Sequence, residues 1–212
     1  MKAFWRALFF TPVFAFFIHS VTAVATPAIP RKLKSLGHFK PSFYWIALEK
    51  DDGLPRNKPV LDMDGNILAM VSEKFMKELK MEGTGRLLDG RLLNYHGRVT
   101  LADGKTEIRF RFCGSEAPYG YGYEDIPLIP FRSLAVDITV IPIGSKIYIP
   151  SVKGAKLPNG EIHDGMFTAL DIGDAIKNKR IDVFTSFGDQ SKVFRDVGMT
   201  HMKAVEIFLV EE

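Results

Sequence analysis

Apolar and polar positions change rhythm several times along this chain. Residues 1–25 read MKAFWRALFFTPVFAFFIHSVTAVA: Lys2 and Arg6, an apolar run from Leu8 to Ile18, then the small-x-small triplet Ala23-Val24-Ala25. The apolar run is about 11 residues long, too short for a roughly 30 Å hydrocarbon core. The pattern predicts a cleaved secretory signal peptide over 1–25, with no stable membrane insertion afterwards. Residues 26–41 carry Pro27, Pro30 and Pro41 with a basic cluster at Arg31, Lys32 and Lys34, and predict an extended linker.

Beyond Pro41 the rhythm is mostly that of strands. Phe43-Tyr-Trp-Ile-Ala-Leu48 is aromatic and apolar. Asp64-Gly65, Asp89-Gly90, Asp103-Gly104 and Asn159-Gly160 each stand between apolar stretches, and such pairs favour tight hairpin turns. One segment has helical spacing instead. From Ser72 to Leu79, with Ser72 as N-cap, Phe75, Met76 and Leu79 fall on one face. A second short helix is predicted over Gln190–Asp196. Short strands with Gly-containing turns predict a mainly β protein, a small barrel or sandwich. Residues 114–130, GSEAPYGYGYEDIPLIP, form a loop suited either to stacking against sugar rings or to packing on the barrel as a lid.

Composition narrows the classes. Across 212 residues, 46% hydrophobic and 25% charged content excludes disorder. A single cysteine, Cys113, excludes a disulfide scaffold and a CxxC metal site, and suits an exported protein that does not rely on disulfides. The formal charge of +3 falls to about +1 once residues 1–25, with two basic and no acidic residues, are set aside. That balance gives no argument for nucleic-acid binding, and no nucleic-acid partner is expected.

The candidate chemistry lies in the C-terminal half. Asp137 follows Leu134-Ala-Val136, Asp171 follows Phe167-Thr-Ala-Leu170, and Asp182 sits between Ile181 and Val183. Apolar flanks imply partial desolvation, which raises a carboxyl pKa toward the range of a general acid. The plainer alternative is that each caps a turn where a strand enters a loop. His163 and Asp164 lie just upstream, either facing solvent in a turn or touching substrate. With Asp171 they match no standard metal-ligand spacing, so no metal or cofactor is expected.

These residues form a longer pattern. Ala135-Val136-Asp137, Ile141-Pro142-x-Gly144-Ser145, Ala169-x-Asp171-x-Gly173-x-Ala175-Ile176-Lys177 and Arg180-Ile181-Asp182-Val183-Phe184 occur in this order. In order and spacing they resemble the three-aspartate (3D) domain, which also forms the catalytic core of membrane-bound lytic transglycosylase A. The resemblance covers roughly residues 80–210, with Gly83-Thr84-Gly85 similar to that family's first barrel strand. It implies a six-stranded double-psi β-barrel over 80–212, with 42–79 an N-terminal extension packed on it. It implies an enzyme acting on peptidoglycan glycan strands; with the signal peptide, it is expected to be exported to the periplasm or extracellular cell envelope, and the sequence does not determine its oligomeric state, a monomer being the expectation. Such an enzyme cleaves between N-acetylmuramic acid and N-acetylglucosamine and leaves 1,6-anhydromuramyl ends. Asp171 matches the catalytic carboxyl, with Asp137 and Asp182 in support. Glu82, Thr84, Gly173, Asp174, Lys177, His163 and Asp164 are the expected substrate contacts.

Three positions depart from the family pattern. Asp171-Ile172-Gly173-Asp174 stands where the family has DTGG, and Asn178 stands where it has Gly. The added carboxylate of Asp174 either raises the pKa of Asp171 or occupies sugar space. The alternative to an enzyme is a non-catalytic glycan-binding or wall-loosening barrel, which keeps the groove and tolerates loss of Asp171.

Overall fold

A computed structural model describes residues 32–211. The signal peptide expected at 1–25 and the first part of the linker lie outside these residues. The described chain opens on β1 (Leu33–Leu48), a single strand of 16 residues. The linker expectation through Pro41 is therefore corrected from residue 33 onward. Pro41 interrupts nothing because it falls past the last rung to the C-terminal strand, Phe39↔Val205, where its missing N–H removes no bond on that side.

Six strands close a barrel: β1, β7 (Ser133–Val136), β8 (Lys146–Tyr148), β9 (Met166–Ile172), β10 (Arg180–Phe187) and β11 (Val205–Val210). Their order is β10-β7-β9-β8-β11-β1, and the parallel pairing of β1 with β10 seals the ring. The β7–β9 pair is also parallel, and the remaining pairs are antiparallel. This is the expected double-psi barrel, except that β1 starts well before the anticipated boundary at residue 80. Inside lie Phe39, Leu134, Ile141, Ile147, Phe167, Ile181, Val183 and Ile207. Helix α2 is only Lys192–Arg195, shorter than the expected Gln190–Asp196, and it buries Phe194 completely.

The far end of β1 leaves the barrel and joins a second sheet. Ala47 and Leu48 pair in parallel with Gly85 and Arg86 of β4 (Thr84–Arg86), followed by the antiparallel β5 (Leu92–Thr100) and β6 (Thr106–Phe112). Gly83-Thr84-Gly85 thus belongs to this sheet, not to the barrel. Helix α1 (Glu73–Glu82) and the ribbon of β2 (Lys58–Leu61) and β3 (Ile67–Val71) pack on it around Leu79, Phe75, Leu93 and Phe110. Ser72 caps α1 as expected, accepting a hydrogen bond from the Phe75 N–H at 3.2 Å. The helix runs one turn beyond Leu79 and stops at Gly83, whose φ of 77° closes the C-cap. A third cluster, Ile46, Leu128, Leu170 and Phe184, fills the seam between barrel and sheet. No helix among the described residues is long and apolar enough to cross a membrane.

Candidate active site

A cleft of about 450 Å³ opens along that seam. Its barrel wall is formed by Tyr44, Ala135, Asp171, Gly173, Asp174 and Asp182; the opposite wall by Glu82, Thr84, Asn94 and Arg98; its rim by Tyr121–Asp125.

Strand geometry explains how two aspartates reach it. Alternation along β9 would put Asp171 on the inward face of Phe167 and Ala169. A bulge intervenes: Leu134 pairs with Ala169, but Ala135 pairs with Asp171, so Leu170 is the extra residue. Ala169 and Leu170 are both buried, and Asp171 is turned into the cleft. On its other side Ala135 pairs with Asp182, which in turn pairs with Ser42 of β1. The two aspartates therefore stand in one row across three strands, roughly 10 Å apart at Cα. The small side chain of Ala135 leaves open space between them.

The Asp171 carboxylate is half-buried. One oxygen accepts the Tyr44 hydroxyl at 2.9 Å and the other accepts the Ile172 N–H at 2.8 Å. Burial pushes its pKa up to about 7, with Asp182 adding to the rise and the two hydrogen bonds opposing it. Asp182 is raised to about 6, again by burial, against the Ser42 hydroxyl and Arg180. Its Oδ1 is buried without a hydrogen-bond partner among the described residues. Across the cleft, burial lifts Glu82 to about 7, while its bond from the Trp45 N–H at 3.1 Å works the other way. Tyr44 itself is held well above the usual phenol value by burial and by Asp171, so it remains a donor.

Thr84 and Asn94 brace the rim. Thr84 Oγ1 donates to Asn94 Oδ1 at 2.8 Å, and the same oxygen accepts the Tyr121 N–H at 2.9 Å. A side chain at Gly120, where φ is +88°, would meet that oxygen at 2.6 Å. The Tyr-rich loop divides between packing and the cleft. Tyr119 packs on Phe187 at 5.5 Å between ring centres, whereas Tyr121 and Tyr123 line the cleft. Glu124 and Asp125 sit at positive φ, 50° and 63°, a strained backbone at the rim.

Other expected site residues stand elsewhere. Asp137 lies past the end of β7 and outside the cleft. Its carboxylate accepts the Thr139 N–H and hydroxyl and, at 2.7 Å, the Asn178 N–H, which hold its pKa below the ordinary value. The expectation that its apolar flank desolvates it is corrected, and the turn-capping alternative describes it. Asn178 adopts φ 54°, the left-handed turn for which Asn substitutes best for Gly. Lys177 is exposed in the same turn, away from the cleft lining.

His163 is fully buried rather than placed at the surface or the cleft. Its Nδ1 accepts the Gly165 N–H at 2.8 Å, so Nε2 carries the proton and donates to the Phe131 carbonyl at 2.7 Å. Burial depresses its pKa to about 4. Asp164 pairs with Arg132, also outside the cleft lining. Asp174 does line the cleft, but its carboxylate points across to Arg98, which lowers its pKa. Asp174 is not among the groups raising the pKa of Asp171.

Tyr44, Asn94 and Arg98 had no signal in the sequence. Tyr44 comes from β1, which pairs with the distant β10, and Asn94 and Arg98 both come from β5, whose sheet faces a barrel wall far away in the chain. Among the described residues, no group of three or more His, Cys, Asp or Glu is arranged to hold a metal ion.

Comparison with known proteins agrees with this geometry. A family model, the 3D domain, matches residues 132–208. A membrane-bound lytic murein transglycosylase A homolog from Buchnera aphidicola is 35% identical over 75 residues, which are 34% of this chain and 20% of that protein. The match thus spans only about a fifth of that relative's length. Among solved structures, E. coli MltA with bound chitohexaose aligns with a TM-score of 0.60 at 15% identity, covering 82% of this chain and 72% of that one. A membrane-bound lytic murein transglycosylase from Agrobacterium tumefaciens aligns at 0.57 and 16% identity, covering 82% and 74%. At such identities the likeness concerns the fold. Residues 132–208 thus match the 3D domain, and the described residues share the double-psi barrel fold of the membrane-bound lytic transglycosylases they align with.

Proposed function

We propose that this protein is an exported peptidoglycan lytic transglycosylase that cleaves the bond between N-acetylmuramic acid and N-acetylglucosamine. The observation that carries the reading is Asp171: half-buried in the cleft, bonded to Tyr44, raised to about 7, and standing where the family pattern has its catalytic carboxyl. The fold and the relative's printed name support the same class. The residues 1–25 pattern supports export.

A glycosidic oxygen is a poor leaving group and needs a proton from a positioned acid. Near neutral pH Asp171 is partly protonated and supplies that proton to the leaving oxygen. Its carboxylate then takes the proton of the muramic C6 hydroxyl while that oxygen bonds to C1. The C1–O bond to the leaving sugar breaks, a 1,6-anhydro ring forms, and no water is consumed. The Tyr44 hydroxyl fixes the carboxylate plane and stabilises its charge after the first proton leaves. Asp182, ionised above about pH 6, faces positive charge developing at C1. Glu82, Thr84 and the Tyr121–Asp125 rim line the space for neighbouring sugars.

The test is digestion of purified sacculi followed by mass spectrometry. Anhydromuramyl ends that vanish in Asp171→Ala are the expected result. Reducing ends would indicate a hydrolase. Retained binding without release would favour a non-catalytic glycan-binding barrel.

A further inference from the structure

A second cavity, of about 200 Å³, lies behind the cleft. Its walls come from β2, α1 and β6, and Lys80 and Ile108 line both spaces, so the two adjoin. Three cations, Lys58, Lys80 and Arg109, face it against one carboxylate, Glu107.

Arg109 is the unusual member, only 6% exposed. Its Nη1 donates to Glu107 at 2.7 Å, but Nε is buried with no hydrogen-bond partner among the described residues. A guanidinium has five N–H donors, and arginine is seldom buried this deeply unless they are met. Lys58 is lightly held, 3.9 Å from Glu73 with both side chains largely exposed. Among the described residues Lys80 makes no ion pair. The cavity therefore presents unspent donors and net positive charge next to the cleft.

We propose that this cavity binds a carboxylate of the peptide stem carried by the muramic acid residue seated in the neighbouring cleft. The proposal rests on the reading of the cleft as a peptidoglycan site. Muramic acid carries its peptide through a lactyl ether on the sugar ring, and the stem bears free carboxylates within a few residues. Three extended residues reach roughly 10 Å, and Lys80 and Ile108, which line both spaces, mark where the two adjoin. A planar guanidinium suits a carboxylate in two-point contact, and flanking lysines add charge without demanding geometry. The stem would then set which muramic residue is placed at Asp171, making this a specificity element for the strand.

The test uses calorimetric titration of the full chain with three soluble probes: a disaccharide-tetrapeptide, the same molecule with its carboxylates amidated, and the peptide-free disaccharide. The first is expected to bind tightest, and the amidated probe to match the peptide-free one. Lys58→Gln should lower the affinity ratio of acid to amidated probe about two- to fivefold, the scale of one solvent-accessible charge pair. Glu107→Gln removes the internal competitor for Arg109 and should raise that ratio. Opposite signs from two folded variants are not the mark of general damage. A ratio near one in the wild type, or variants that move it in the same direction, overturns the proposal. Disaccharide binding with no carboxylate preference keeps the cleft reading and sinks this one. Carboxylate-dependent binding of the tetrapeptide probe with no affinity for the disaccharide does the reverse.

Discussion

Replacing Asp171 with Asn should cut turnover sharply and stabilise the protein, but only at the alkaline end. The folded-state pKa of Asp171 is about 7, against roughly 3.9 for an unfolded aspartate. Folding therefore favours the protonated carboxyl. That contribution is complete below about pH 4 and is lost as pH rises through about 7. A gap of about three units corresponds to roughly 4 kcal/mol at full effect. Asp171 is open to cleft water on one side, which reduces the figure to about 2 kcal/mol. Asn has the same shape, keeps an oxygen to accept the Tyr44 hydroxyl, and never ionises. The variant should match the wild type in thermal melts at about pH 3.5 and exceed it at pH 8 by about 4–8 °C, since each kcal/mol moves Tm by roughly 2–4 °C in a chain of this size. Release of anhydromuropeptides should fall by about 10²–10⁴, the usual contribution of a positioned acid. An equal change in Tm at both pH values, or a variant less stable at pH 8, would refute the reasoning, because the carboxyl would then not be held in a setting that disfavours its charge.

Three further outcomes follow from the same geometry. Tyr44→Phe removes the hydrogen bond that favours ionised Asp171, so the alkaline limb of the kcat/KM profile should move up by about one pH unit, given the strength of bonds to charged groups; an unmoved or lowered limb counts against the contact. Asp174→Gly should change stability by less than about 1 kcal/mol, because its pair with Arg98 is exposed. It should leave the alkaline limb in place, and a shift of that limb would show that Asp174 does act on Asp171. Nitrogen NMR of His163 should show the Nε2–H form and no titration between pH 8 and pH 5, whereas a transition near 6.5 would place the ring in solvent.

Much of the β framework was legible locally. The glycines of Asp64-Gly65, Asp89-Gly90, Asp103-Gly104 and Asn159-Gly160 all take positive φ, because these short turns need a conformation that side chains resist. Ser72 and Phe75, Met76 and Leu79 announced α1 through capping and spacing alone. The linker expectation failed because prolines were weighed as breakers, whereas Pro41 costs a rung only where its N–H would have had a partner. Asp137, Asp171 and Asp182 looked alike in the sequence, each beside apolar residues. Pairing separates them, since Asp137 lies past a strand end with backbone donors in reach, while the other two remain within paired strands.

Composition, turn chemistry and motif order thus determined the fold class and singled out Asp137, Asp171 and Asp182 as residues to examine, because those signals act over a few neighbouring positions. Which aspartates face a common space was decided only by the tertiary structure. The bulge at Leu170 reverses the inward and outward alternation of β9, and the row Asp171–Ala135–Asp182 exists only once β9, β7 and β10 pair. Tyr44 of β1 and Asn94 and Arg98 of β5 meet Asp171 in the cleft only because strands far from β9 in the chain are folded against it. Their pKa settings and contacts come from burial and register, which are properties of packed neighbours and not of adjacent residues.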